Sequence, residues 1–132
     1  MKKYAVYVLA ILLGVVFYGS AIMKLSGAPA MSATFQHLGL EDWRIFIGGL
    51  EIVCVTLLFL PWTRVIGFLL MASFMGGAIV AHLSHGELPF VQVAILSLVW
   101  LLGYLRDPQL FQAREARADT RQTQGVTEIQ AV

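Results

Sequence analysis

Five side chains stand out against an otherwise apolar chain as groups that could do chemistry: Tyr18, Lys24, Glu51, His82 and Gln92. A carboxylate and an ammonium can close an ion pair or grip the hydrogen-bonding end of a small molecule. An imidazole takes or gives a proton near neutral pH. A phenol and a primary amide add further donors and acceptors. Glu51 sits inside an apolar run, and a carboxylate at hydrocarbon depth costs about 2.5–3.5 kcal/mol on insertion scales. It must therefore face other protein and find a partner. Lys24 has a stem long enough to bring its ammonium down from the membrane interface. His82 and Gln92 are in line to supply further bonds.

The elements that must position these groups are apolar helices. Four runs, over about 4–24, 43–60, 64–83 and 88–105, each approach the ~20 residues needed to cross ~30 Å of hydrocarbon. Without water at that depth the backbone must bond within the segment, which makes the runs helical. Residues 61–64 and 84–87 form connectors too short for anything but antiparallel neighbours. A longer connector begins at Ser26. Pro29 is suited to open a helix there, Gly39 to close one, and Met31, Phe35 and Leu38 fall on one side with Gln36 and His37 on the other. The predicted fold is an all-α membrane four-helix up-down bundle over 1–106, with an interfacial helix over about 30–38 lying across the outer mouth. Asp107 and Pro108 end the last span. Residues 107–132 read as a polar, partly disordered cytoplasmic tail, with Arg114, Arg117 and Arg121 on one face and Leu110 and Phe111 dipping into the interface.

Composition agrees with the bilayer as solvent. Of 132 residues, 58% are hydrophobic and 13% charged, about half the usual charged share of ~25%. So few charges cannot cover a soluble domain of this size. A net charge of +1 is too small for a nucleic-acid partner. Cys54 is the one cysteine, so an intramolecular disulfide or dithiol relay is excluded. His37, His82 and His85 lack metal-ligand spacing, and no metal is expected. Lys2 and Lys3, with Ala28-Pro29-Ala30 downstream, invite a signal-peptide reading, but the first apolar run exceeds the 7–15 residues of a signal core.

Orientation follows from the basic residues. With the N-terminus inside, Lys2, Lys3, Arg64, Arg106, Arg114, Arg117 and Arg121 are cytoplasmic, against Lys24 and Arg44 outside. Both termini are then cytoplasmic and, in a bacterium, the membrane is the inner one. Glu51, seven residues past Arg44, lies about 10 Å below the outer interface, and His82, eighteen past Arg64, lies about 27 Å from the inner one. All five polar residues thus fall in the outer half, while the inner half is almost purely apolar. Gly14, Tyr18, Ala21 and Lys24 recur at helical spacing in the first span. Gly67, Met71, Met75, Ala78 and His82 do so in the third, and Gly76-Gly77-Ala78 is suited to close backbone approach. Such a cluster is either a structural staple that fixes helix register, a ligand pocket, or a site of proton or ion movement. An apolar inner half offers a transporter no continuous polar path.

The residues also resemble a known family. FYGSAIMK over Phe17 to Lys24, then Gly27, then Phe35-Gln36-His37-Leu38-Gly39, is similar to the opening of the DoxX and DoxX-like membrane proteins. Ile47-Gly48-Gly49-Leu50-Glu51 resembles their Gly-x-x-Glu segment, and Thr63-Arg64 and the Ala78 to His82 stretch match as well. The resemblance covers roughly Gly14 to Leu105. It implies a four-helix membrane bundle, with Lys24, Glu51 and His82 as the carried-over positions. It further implies an accessory subunit of a membrane redox or quinone-linked complex. The chain carries no dinucleotide-binding, haem-attachment or iron–sulfur motif. No intrinsic cofactor is therefore expected, and any electron chemistry belongs to a quinone, another small lipophilic ligand or a redox-complex partner. A non-catalytic scaffold or assembly factor is the alternative, and homo-oligomerisation stays open.

Overall fold

Helix α1, Lys2–Ser26, buries Ala10, Leu13, Phe17, Ala21 and Lys24. Steps of three and four residues keep these on one stripe of the helix. The other stripes, with Tyr7, Val8, Ile11 and Val15, are apolar and exposed. A computed structural model describes residues 2–111 and, within them, the chain is helical with no strand. Pro29 sets the first turn of α2, Pro29–His37, where its fixed φ suits the helix and its missing N–H costs nothing. Gly39 ends the helix at φ +64, and the Leu40 N–H donates back to the Phe35 carbonyl at 2.8 Å. A side chain at that left-handed position would be strained. One 3₁₀ turn, Glu41–Trp43, leads into α3, Arg44–Phe59. The chain continues as α4, Arg64–Ser84, and α5, Phe90–Arg106.

The four long helices close a ring in which α3 packs between α1 and α4, and α5 returns between α4 and α1. Their common core holds Leu13 and Phe17 of α1, Val55 and Leu58 of α3, Phe68 and Met71 of α4, and Val99 and Leu102 of α5. Helices α1 and α4 are long and apolar enough to cross a membrane. Helix α5 is apolar but shorter, at 17 residues, and α3 has 16. These lengths rise about 24–26 Å at 1.5 Å per residue.

Glycine permits close approach at several contacts, Gly67 and Gly48 among them. A Cβ on Gly67 would overlap the α3 backbone at Leu57 and Leu58, so α3 and α4 approach backbone to backbone there. A Cβ on Gly48 would lie 3.1 Å from the Lys24 Cβ, which brings α3 close to α1 one turn before Glu51. The close approach predicted at Gly76 and Gly77 is not observed. Nothing lies within 4 Å of a Cβ built at either, because the helices diverge at that level. At the opposite end of the bundle, Arg106 donates to the Leu58 carbonyl at 3.0 Å and lies over the Phe59 ring, satisfying an orphan carbonyl at the end of α3. Leu110 and Phe111 are half-exposed, and the Phe111 ring meets Trp100 and Tyr104. The tail features predicted at Arg114, Arg117 and Arg121 lie outside the described residues.

Candidate functional site

The buried stripe of each helix changes character along its length. On α1 it runs from Ala10, Leu13 and Phe17 to Ser20, Ala21 and Lys24. On α3, which runs the other way, Leu58 and Val55 lead to Glu51. On α4, Phe68, Met71 and Met75 lead to Ala78 and His82. On α5, Leu102 and Val99 lead to Ile95 and Gln92. The same helical spacing therefore delivers one apolar end and one polar end.

At the polar end the Lys24 ammonium donates to Glu51 Oε2 at 2.7 Å. Lys24 is 8% exposed and Glu51 2%. Ser20, one turn before Lys24, accepts from the ammonium and donates to the same carboxylate oxygen at 3.5 Å. Removing two ions from water is costly, and the 2.7 Å contact with its added hydroxyl offsets that cost. The backbone holds the pair in place. Arg44 donates to the Lys24 carbonyl, an orphan acceptor at the end of α1, and its Nε donates to Glu41 Oε1 at 3.0 Å. Ser32 of α2 donates to that same Glu41 oxygen at 3.2 Å, which ties α2 to the start of α3.

A second group forms across α4 and α5. His82 Nδ1 lies 2.5 Å from Glu87 Oε2, and its Nε2 lies 2.8 Å from the Gln92 amide nitrogen. An ionised carboxylate can only accept, so Nδ1 is the donor and Nε2 accepts from Gln92. The other Glu87 oxygen lies 3.3 Å from His37 Nε2 at the end of α2. His37 and Glu87 are exposed and His82 is not, so these groups form a chain from the surface inward.

Between the two groups lies a cavity of about 720 Å³. Ser20, Lys24, Glu51, His82 and Gln92 contribute its polar wall. Phe17, Phe74 and Met75 line its apolar side, and Met31 and Phe35 of α2, with Leu38 just past its end, line its cover. Gly77 and Ala78 border it too, so the small residues leave room instead of drawing helices together. Among the described residues no three His, Cys, Asp or Glu side chains converge in a metal-binding group.

The sequence profile of the DoxX-like family matches residues 8–104. The chain belongs to the DoxX-like family. No curated protein and no solved structure matches it. Both polar groups of this DoxX-like chain lie inside the matched stretch. Family membership, the two helices able to cross a bilayer and their exposed apolar faces identify a helical membrane protein.

Four of the five side chains singled out in the DoxX-like sequence meet at the cavity: Lys24, Glu51, His82 and Gln92. They do so as two separate pairs. His82 and Gln92 bond to each other and to Glu87, not to Glu51. Tyr18 is elsewhere. It is 37% exposed and its hydroxyl pairs with Thr56 Oγ1 at 3.0 Å. The buried face of α1 is centred on Phe17 and Ala21, which turns Tyr18 toward the outer seam between α1 and α3. Ser20 and Glu87 were not foreseen. Ser20 lies four residues before Lys24, a spacing that stacks the two on one face. Glu87 lies in the connector after α4, and only its bond to His82 shows its part in the cluster.

Proposed function

We propose that this DoxX-like protein is a four-span up-down bundle of the bacterial inner membrane, with both termini cytoplasmic and an outward-facing pocket. The pocket takes a small lipophilic ligand with one polar end, in the leading case a quinone held in its reduced, quinol form. The protein then serves as an accessory subunit of a membrane redox or quinone-linked complex. The seven-to-two bias of basic residues supports the orientation. Exposed aromatic residues support four spans. Tyr4, Tyr7, Trp62 and Tyr104 mark one end and Trp43 and Phe46 the other, as interfacial girdles do. The 3₁₀ turn lengthens α3, and Leu88 and Pro89 lengthen the path of α5.

One observation carries the ligand reading: a cavity of about 720 Å³ with mostly apolar walls, whose polar groups are an ion pair, a histidine–amide pair and the hydroxyls of Ser20 and Thr34. Mostly apolar cavities of 300–1,000 Å³ with a few convergent polar groups are the usual form of small-molecule sites. In this reading Lys24 and Glu51 hold the ligand's polar end. His82 exchanges a proton with it, and Glu87 and His37 connect His82 to the outer aqueous phase. The test uses membranes in which this protein is the sole copy, comparing wild type with the Lys24→Met/Glu51→Leu double variant. The double change removes both charges together, so neither is left buried alone. Quinone-dependent activity is expected to be lost while the melting temperature in detergent is kept. Unchanged activity sinks the reading.

One feature favours a second reading. Lys24, Ser20 and Glu51 Oε2 satisfy one another without any ligand, as a staple that only fixes register would. A scaffold or assembly factor would keep its function in the double variant, provided the bundle stays folded.

A further inference from the structure

We propose that the cavity selects ligands that present a hydroxyl, such as an alkylphenol or a quinol, over the same skeleton carrying only carbonyl or ether oxygens. The inference rests on the cavity being a ligand site. Its basis is the hydrogen-bond inventory of Glu51. Oε2 accepts from Lys24 and from Ser20. Oε1 has no partner among the described residues, although the side chain is 3% exposed. The one fully enclosed side-chain oxygen without a partner among those residues is Glu41 Oε2. Oε1 of Glu51 therefore keeps access, and Glu51 lines the cavity.

A carboxylate offers only lone pairs. Whatever meets Oε1 must donate a proton to it. A carbonyl or ether oxygen in that place opposes lone pair to lone pair and leaves the buried acceptor unpaired. A hydroxyl donates to Oε1 and still accepts, and the neighbouring Lys24 ammonium is a donor. The far wall can meet both sides of a hydroxyl. Gln92 donates one amide N–H to His82, and its carbonyl oxygen and its other N–H have no partner among the described residues. Between the walls, Phe17, Phe35 and Phe74 offer ring faces and edges to an aromatic ligand, and Met75 adapts to its outline.

The experiment titrates 4-hexylphenol and 4-hexylanisole into the full-length protein in detergent by calorimetry. These probes share one skeleton and differ in whether the aromatic oxygen carries a hydrogen or a methyl group. Wild type is expected to bind the phenol about 10-fold or more tightly than the anisole, the usual worth of a hydrogen bond to a charged group. In Lys24→Met/Glu51→Leu the ratio is expected to fall to about one. In Gly77→Phe, which fills the cavity, both probes are expected to be lost. Equal binding of the two probes to wild type, both abolished by Gly77→Phe, overturns the selection but keeps the cavity as a ligand site. Binding of neither probe overturns the ligand reading underneath. A preference that survives in the double variant overturns the role of Glu51. The wild-type comparison stands even if a variant does not fold.

Discussion

The apolar and polar halves of this bundle are built from the same four helices with the same spacing, yet the apolar half closes and the polar half opens. In the apolar half Leu13, Leu58, Met71 and Leu102 meet with almost no exposure. There Gly67 brings two backbones together. In the polar half the stripes carry Ser20, Lys24, Glu51, Ala78, His82 and Gln92, and the helices leave about 720 Å³ between them. Periodicity decides which face turns inward. Side-chain size and polarity decide whether inward faces can meet.

The largest break in that comparison comes from splitting the ion pair. Lys24→Met leaves Glu51 charged and alone, and is expected to cost about 3–5 kcal/mol. Lys24→Met/Glu51→Leu is expected to recover most of that loss. Melting temperatures of the two single variants and the double variant in one detergent check the coupling. Next comes a matched glycine pair. Gly67→Ala drives a methyl into the α3 backbone and is expected to cost upwards of about 1–3 kcal/mol. Gly77→Ala meets open space and is expected to be neutral or to stabilise by up to about 1 kcal/mol through helix propensity. Opposite signs in denaturation confirm that one half is closed and the other open, and equal costs contradict it. The smallest effect concerns the link from α2. Glu87→Gln removes a contact between half-exposed groups and is expected to change stability by less than about 1 kcal/mol. Faster amide exchange across α2 is the expected readout, and unchanged exchange shows that His37 and Glu87 do not hold that helix.

Much of this was legible in the chain itself. Apolar run length marked the helices, and Pro29 and Gly39 marked the bounds of α2. The buried cost of Glu51 pointed to Lys24. What was not legible is what three-dimensional packing decides. Tyr18 and Ser20 are two residues apart, about 200° around a helix, and a shift in the buried face exchanges their roles. Gly76 and Gly77 have the composition of a close contact, but only the packing shows that neither makes one and that Gly77 borders the cavity. Glu87 lies in a connector, where no periodicity aims a side chain.

Native mass spectrometry of the protein purified from its own membranes tests the central claim most directly. A small lipophilic molecule is expected to remain bound to wild type and to be absent from Gly77→Phe, whose ring occupies the cavity. A wild-type protein free of any such molecule, or an equal adduct on both proteins, would contradict the assignment of that cavity as a ligand site.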